Sequence, residues 1–218
     1  MPHQTFFNLP PDKRSRVLDA LKAEFAAHSY PQGSVDRVTA QAGVSKGSFY
    51  QYFEDKRDAY AYLVDELMSS RLAVAGAPVP QESLEEVLTA MVYASHDFHA
   101  RDPLGWAVLA RAYAEDSPLD PSSGASSLAL HQWAVAAMAA GQESGELRDD
   151  VEPDTAAWFI ERVLTGLPEH VMNRFGVTAE AAASDGSAFD VPEIERVGTD
   201  AIAMIVRALT PGHLRAHL

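Results

Sequence analysis

"GVSKGSFYQYFEDK", residues 43–56, is long enough for one helix of about two turns and too polar for that helix to be wholly buried. Gly43 suits a tight turn, because a residue without a Cβ takes a positive φ freely. Ser45 is placed to cap a helix starting at Lys46, and Phe49 and Phe53, four residues apart, lie on one face of it. Upstream, residues 34–42 read as a second short helix, capped by Ser34, with Val35 and Val38 on one side. Before that, residues 10–28 open on two prolines, where a missing N–H does little harm, and continue with Val17, Leu18, Leu21 and Phe25 at helical spacing. A support helix followed by two short helices hinged at a glycine is the outline of a helix-turn-helix, whose second short helix enters the major groove of DNA.

The division of residues within the stretch fits that use. Val44, Phe49 and Phe53 are expected to anchor the short helix. Ser45, Lys46, Gly47, Ser48, Tyr50, Gln51 and Tyr52 are then expected to face outward as DNA contacts, together with Ser34. Gly47 lets the backbone approach a base or a thymine methyl, and Lys46 and the Tyr50 hydroxyl suit phosphate oxygens. Gln51 offers a donor and an acceptor on one amide, which suits a base edge. Lys56, at the start of the next helix, is expected to reach phosphate beside free helix N–H groups. That next helix is capped by Asp55, runs to about Ala75, and carries Tyr60, Leu63, Val64, Leu67 and Met68 on one stripe.

Charge divides in the same place. The chain of 218 residues has a formal net charge of −14, yet its first 71 residues carry nine cationic and nine anionic side chains, so all the excess acid lies beyond them. An uneven distribution of this kind is expected of a DNA reader joined to an acidic body. The chain has no cysteine, which excludes a disulfide framework, a thiolate zinc site and a cysteine nucleophile. No apolar run is long enough to span a bilayer, and the N-terminus lacks a basic region followed by an apolar one, so no membrane partner and a cytoplasmic location are expected.

The stretch "FFNLPPDKRSRVLDALKAEFAAHSYPQGSVDRVTAQAGVSKGSFYQYFEDKRDAYAYLV", about residues 6–70, resembles the N-terminal domain of the TetR family of bacterial transcriptional regulators. The resemblance implies an all-α homodimer with an N-terminal helix-turn-helix domain, a variable C-terminal ligand-binding and dimerisation domain, and a repressor's role on double-stranded DNA. The domains are then a DNA-binding unit over 1–54, a connecting helix over 55–75 and a ligand-binding and dimerisation unit over 76–218. No cofactor is expected.

Beyond residue 75 the helical pattern continues at about 81–100, 103–115, 123–144, 154–175 and 192–209, with no convincing strand. Pro168 is expected to kink or restart the fourth of these. Residues 177–190, small and polar without an apolar stripe, are expected to form a mobile loop. Met91, Tyr93, His96, Phe98, Trp106, Tyr113, Trp133, Met138, Trp158 and Phe159 supply the large soft side chains that an apolar small-molecule pocket needs, so a small apolar or aromatic ligand is expected there. His96 and His99, three apart in "HDFH", share a helical face, yet they have no evident third ligand and no metal is assigned to them.

The last helix carries two apolar stripes, one with Ile194, Val197, Ala201, Ile205 and Ala208, the other with Ile202, Val206 and Leu209. Together with Ile160, Leu164 and Val171 of 154–175, residues Ile194, Val197, Ala201, Ile205 and Val206 are expected to pack against their copies in a two-fold dimer. The 55–75 helix is expected to be the sole element touching both reader and body, and hence the route by which a ligand releases the operator. Two other readings remain: a small helical enzyme using His96 and Glu115 as acid or base, and a DNA-binding module that answers a protein partner.

Overall fold

A computed structural model describes residues 1–75, 83–112, 116–119 and 124–211. The described residues contain helices and no strand, in the order α1 (Gln4–Phe7), α2 (Pro11–Ala27), α3 (Val35–Ala42), α4 (Lys46–Tyr52), α5 (Lys56–Ala75), α6 (Leu84–Arg101), α7 (Pro103–Ala112), α8 (Ala125–Ser144), α9 (Pro153–Phe175), α10 (Ala179–Ser184) and α11 (Pro192–Leu209). No described helix is long and apolar enough to cross a membrane.

Local chemistry sets most of these boundaries. Proline opens α2, α9 and α11, where its missing N–H is one of those that no helix can satisfy. Ser83 and Glu86 close a reciprocal capping box at the start of α6, and Thr178 caps α10 through the Ala181 N–H. Helix α9 runs unbroken through Pro168 rather than restarting there. The proline forfeits one hydrogen bond, to the Leu164 carbonyl, and both residues sit on a cavity wall.

The interior forms two apolar clusters. One joins Phe6, Leu21, Phe25, Phe49, Phe53 and Tyr60 to Phe98, Trp106, Val108 and Ala182, so it reaches from the N-terminal helices into α6, α7 and α10. The other packs Leu88, Met138, Ala157, Ile160, Ile202 and Ile205 between α6, α8, α9 and α11.

Three expectations from the sequence are overturned here. Residues 177–190 contain α10, whose Ala182 is wholly buried, and Gly186 lies so close to α6 that a Cβ would stand 3.0 Å from the Ala100 carbonyl oxygen. The alanines that deny this segment an apolar stripe are what allow it to pack closely. Second, α5 is not the sole bridge: α2 of the reader packs directly on α7 and α10, and Lys22 Nζ meets Asp102 Oδ2 at 2.8 Å. Third, much of the expected dimer face is already used within one chain. Ile205 is 1% exposed, and Ile160, Val171 and Ala201 are buried as well, because α11 packs on both α6 and α9. Leu164, Ile194, Val197 and Val206 are half-buried, and the side chains left open are Met204, 65% exposed, and Trp158.

Candidate nucleic-acid interface and adjoining cavity

Helices α3 and α4 are set by three local devices. The Ser34 side chain accepts the Arg37 N–H, and Ser45 Oγ accepts the Ser48 N–H at 3.0 Å. Between them Gly43 adopts φ 65°, and α3 ends in paired bonds from Gly43 N–H to the Ala40 carbonyl and from Val44 N–H to the Thr39 carbonyl.

The angle of α3 against α2 is fixed by Glu24. Its carboxylate accepts the Ser34 N–H at 2.7 Å and the Arg37 Nε at 3.0 Å, and Arg37 Nη2 continues to the Gln32 carbonyl at 2.8 Å. Burial would raise the Glu24 pKa, but Arg37 and the Ser34 N–H outweigh it and hold the carboxyl below its ordinary value.

One arc of α4 is anchored by Phe49, Tyr52 and Phe53, all buried, with Phe53 against Phe6 of α1 at 4.9 Å between ring centroids. The opposite arc carries Lys46, Gly47, Tyr50 and Gln51, all exposed, flanked by exposed Ser45 and half-buried Ser48. The N-terminal segment holds the far end of α4: His3 N–H donates to the Tyr52 carbonyl at 2.8 Å, and its ring Nδ1 lies 3.3 Å from the Gln51 carbonyl. Nothing in the pattern of residues 1–9 announces this clasp except the paired Phe6 and Phe7.

Two residues expected to contact DNA are used otherwise. Tyr52 is 3% exposed, with its ring against Phe6 and 5.9 Å from Lys13 Nζ, so it belongs to the anchor. Lys56 is half-buried and spends its ammonium on the carbonyls of Tyr30 at 2.8 Å and Gly33 at 3.0 Å, over the Tyr30 ring at 4.3 Å. It ties the α2–α3 connection to α5 and leaves little for a phosphate. Ser34 is half-buried and occupied as a cap. Lys46 is exposed and paired with Asp36 at 2.7 Å, a contact that raises its pKa and that phosphate can replace.

In the body, a cavity of about 620 Å³ lies between α6, α9, α11 and the segment leading into α11. Met91, Tyr93, His96 and Trp106 line it as expected of ligand residues. Leu164, Val171 and Ile194, expected at a dimer face, line it too. A smaller cavity of about 110 Å³ beside α5 and α8 gathers Met91, Trp133 and Met138. The remaining expected ligand residues lie elsewhere: Phe98 is buried in the first core, Phe159 packs on the second, Trp158 is 53% exposed, and Tyr113 lies outside the described residues, as does Glu115. His99 and Phe189 are wall residues that the sequence pattern did not single out for a ligand. A lone aromatic in the small, polar 177–190 stretch was the available signal. The two "HDFH" imidazoles do not converge: His96 Nε2 meets Asp190 at 2.7 Å, and His99 Nε2 meets the Ala182 carbonyl at 2.8 Å.

Residues 17–62 match the model of the family described as bacterial regulatory proteins, tetR family. Over 178 residues, 81% of this chain and 90% of that protein, the sequence is 26% identical to the HTH-type transcriptional repressor SCO4008 of Streptomyces coelicolor. It is 28% identical over 151 residues, 67% of this chain and 76% of that protein, to the HTH-type transcriptional repressor DhaR of a Mycobacterium species. A crystal structure of a TetR family transcriptional regulator from Chloroflexus aurantiacus superposes with a TM-score of 0.69 at 31% identity, covering 96% of this chain and 98% of that one. With a helix-turn-helix whose α4 is anchored on one arc and exposed on the other, and with that likeness over almost its whole length, the chain belongs to the TetR family and is a DNA-binding transcriptional regulator.

Proposed function

We propose that this protein is a cytoplasmic repressor that holds a palindromic DNA site as a homodimer and leaves it when a small, mainly apolar or aromatic molecule fills the cavity between α6, α9 and α11. The observation that carries the DNA half is the polar arc of α4, with Lys46, Gly47, Tyr50 and Gln51 presented together by a buried aromatic anchor. Lys46 and Tyr50 serve phosphate, Gly47 permits close approach, and Gln51 reads a base edge. The relatives named as repressors favour that sign of regulation.

The ligand half rests on the cavity, whose volume falls in the range of small-molecule sites and whose walls are largely apolar. Residues 1–54 then read DNA, 55–75 connect, and 76–218 take ligand and dimerise. Dimerisation uses the outward edges of α9 and α11 rather than their buried stripes. Met204 is exposed there, and Gly166 sits mid-helix with open space where a Cβ would go, as a close helix approach requires.

Coupling of about 1–3 kcal/mol between the two sites lowers operator affinity about 5- to 150-fold. Random-site selection with the full chain is the test, and it should return a palindrome. On that site Lys46→Ala lowers the salt-dependence slope by about 1, and Gln51→Ala relaxes preference at one base position. A pool without an enriched palindrome, or a Gln51→Ala loss equal on every sequence, would overturn the reading. Met204→Glu should yield monomers in sedimentation; an unchanged dimer would move the interface.

A further inference from the structure

On the wall of the large cavity three rings meet: His99 of α6, Trp106 of α7 and Phe189 of the segment between α10 and α11. Their centroids are 5.2 Å apart for His99 and Trp106, and 4.6 Å apart for each of them with Phe189. His99 is 0% exposed. Its Nε2 stands 2.8 Å from the Ala182 carbonyl oxygen. A carbonyl only accepts, so Nε2 carries the proton, and in the neutral ring Nδ1 is left as an acceptor. That Nδ1 has no partner. Among the described residues the buried side-chain polar atoms in this condition are His99 Nδ1 and Arg111 Nε, and of the two residues only His99 lines the cavity.

Two other polar groups of the wall are engaged. His96 is held by Asp190 at 2.7 Å, and the Tyr93 hydroxyl donates to Glu195 at 3.2 Å. An apolar chamber whose one free buried polar atom is a lone pair asks for a particular guest: a hydrophobic body with one proton to share. A carboxylate has none to give, and its oxygens would face that lone pair unfavourably.

We propose that the ligand of this cavity is an apolar ring compound bearing one hydroxyl or amide N–H, which donates to His99 Nδ1, and that the same imidazole passes its arrival to the DNA reader through Ala182. The proposal rests on the reading of the cavity as the effector site. Nδ1 is sealed from solvent, so the donor reaches it by displacing a ring. Phe189, half-buried on a connecting segment, yields more readily than Trp106, which is buried within α7. Displacing Phe189 pulls on Gly186, which lies against the α6 backbone, and on α10, which His99 grips at Ala182. Helix α10 packs on α2, and α2 carries α3. This route is separate from α5.

The test uses the full chain, its selected operator and two probes of nearly equal shape, 2-naphthol and its methyl ether 2-methoxynaphthalene, the second without the donor. Calorimetry should show 2-naphthol binding the wild type at least about tenfold tighter, the discrimination expected when a buried acceptor is left unpaired. His99→Gln keeps an amide donor for the Ala182 carbonyl and removes the Nδ1 acceptor; it should bind both probes alike, at the ether's affinity. His99→Asn keeps an acceptor near the Nδ1 position and loses the Ala182 contact; it should keep the preference while 2-naphthol releases operator at least about fivefold less well.

In the wild type, the ¹⁵N resonance of His99 Nδ1 should shift on adding 2-naphthol and stay put with the ether, a readout that needs no variant to fold. Equal affinity of the wild type for both probes, a preference surviving in His99→Gln, or an unmoved Nδ1 resonance with 2-naphthol bound would overturn the anchor and leave the cavity reading standing. Failure of both probes to bind the wild type would remove the cavity reading, and this proposal with it.

Discussion

Two glycines four residues apart in the helix-turn-helix should respond in opposite ways to the same added methyl group. Gly43 holds φ 65° at the end of α3, and a Cβ built on it meets nothing within 4 Å. Alanine there suffers from backbone conformation alone, about 1–2 kcal/mol for an L-residue in the left-handed region. For a chain of this size each kcal/mol moves Tm by about 2–4 °C, so Gly43→Ala should melt about 2–8 °C lower. Gly47 lies inside α4 with a helical backbone, and its Cβ would come no nearer than 3.8 Å, to Ser45 Oγ. Alanine gains about 0.8–1 kcal/mol of helix propensity, so Gly47→Ala should melt higher by about 2–4 °C.

On DNA the order reverses. If the Gly47 backbone approaches the groove, its methyl is an overpacked group in a tight interface. A penalty of about 1–3 kcal/mol lowers operator affinity roughly 5- to 150-fold. Thermal melts and fluorescence anisotropy on the selected operator read both quantities from the same samples. A Gly47→Ala protein that is more stable and binds as tightly as the wild type would remove Gly47 from the interface. A Gly43→Ala protein with an unchanged Tm would refute the turn geometry.

Phe6→Ala should lose about 3–5 kcal/mol and weaken operator binding without touching DNA, since Phe6 is wholly buried against Tyr52, Phe53 and Tyr62; a melt near the wild-type value would show that α1 does not hold α4. Glu24 has a folded pKa below its ordinary 4.5, so its stabilising contribution is fully present above that pH and is lost as the pH falls through the folded value. Glu24→Gln should cost about 1–3 kcal/mol at pH 7 and flatten the acid limb of the stability profile; a variant with the wild-type acid limb would assign that limb to other groups. For His131, burial pushes the pKa down, but contacts with Glu161 at 3.0 Å and Asp154 at 3.2 Å overcome it and the pKa rises above 6.5. Its contribution is therefore complete below pH 6.5 and disappears as the pH climbs through the folded value, and His131→Asn should reduce the fall in Tm between about pH 6 and 8. Parallel profiles for variant and wild type would contradict it.

What could be read from the sequence was what short-range chemistry decides. Ser34, Gly43 and Ser45 placed the ends of α3 and α4 because a cap or a positive φ is settled within four residues. Prolines marked the start of α2 in the same way. Tyr52 shows how a side chain misleads: it lies three residues after Phe49, which puts it on the anchored arc, while its hydroxyl suggests water. Lys56 misleads differently, because its partners are backbone carbonyls more than twenty residues away, and a carbonyl carries no trace of itself in sequence. The cavity was legible in composition and not in membership. Met91 and Trp106 are on its wall and Phe98, of the same helix as Met91, is not, a difference fixed by the rotation of α6 against α7 and α11. Helix α10 escaped because close packing of alanine leaves no hydrophobic stripe to find.

The shared core across α2, α7 and α10 bears on how this protein could be taken apart. Regulators of this architecture invite recombination, with one chain's DNA-reading end joined to another chain's sensing end. A cut after residue 54 or residue 75 would look natural from the helix order alone. Here either cut would strip the apolar underside of α2 from α7 and α10 and orphan Lys22 from Asp102, and the cut after residue 75 would also leave Leu67 and Met68 without the body they pack on. A transplanted reader would keep its contacts to DNA and lose the floor that sets its tilt. Chimeras built from this chain should therefore carry α7 and α10 with the reader, or rebuild the faces of both to suit the incoming α2.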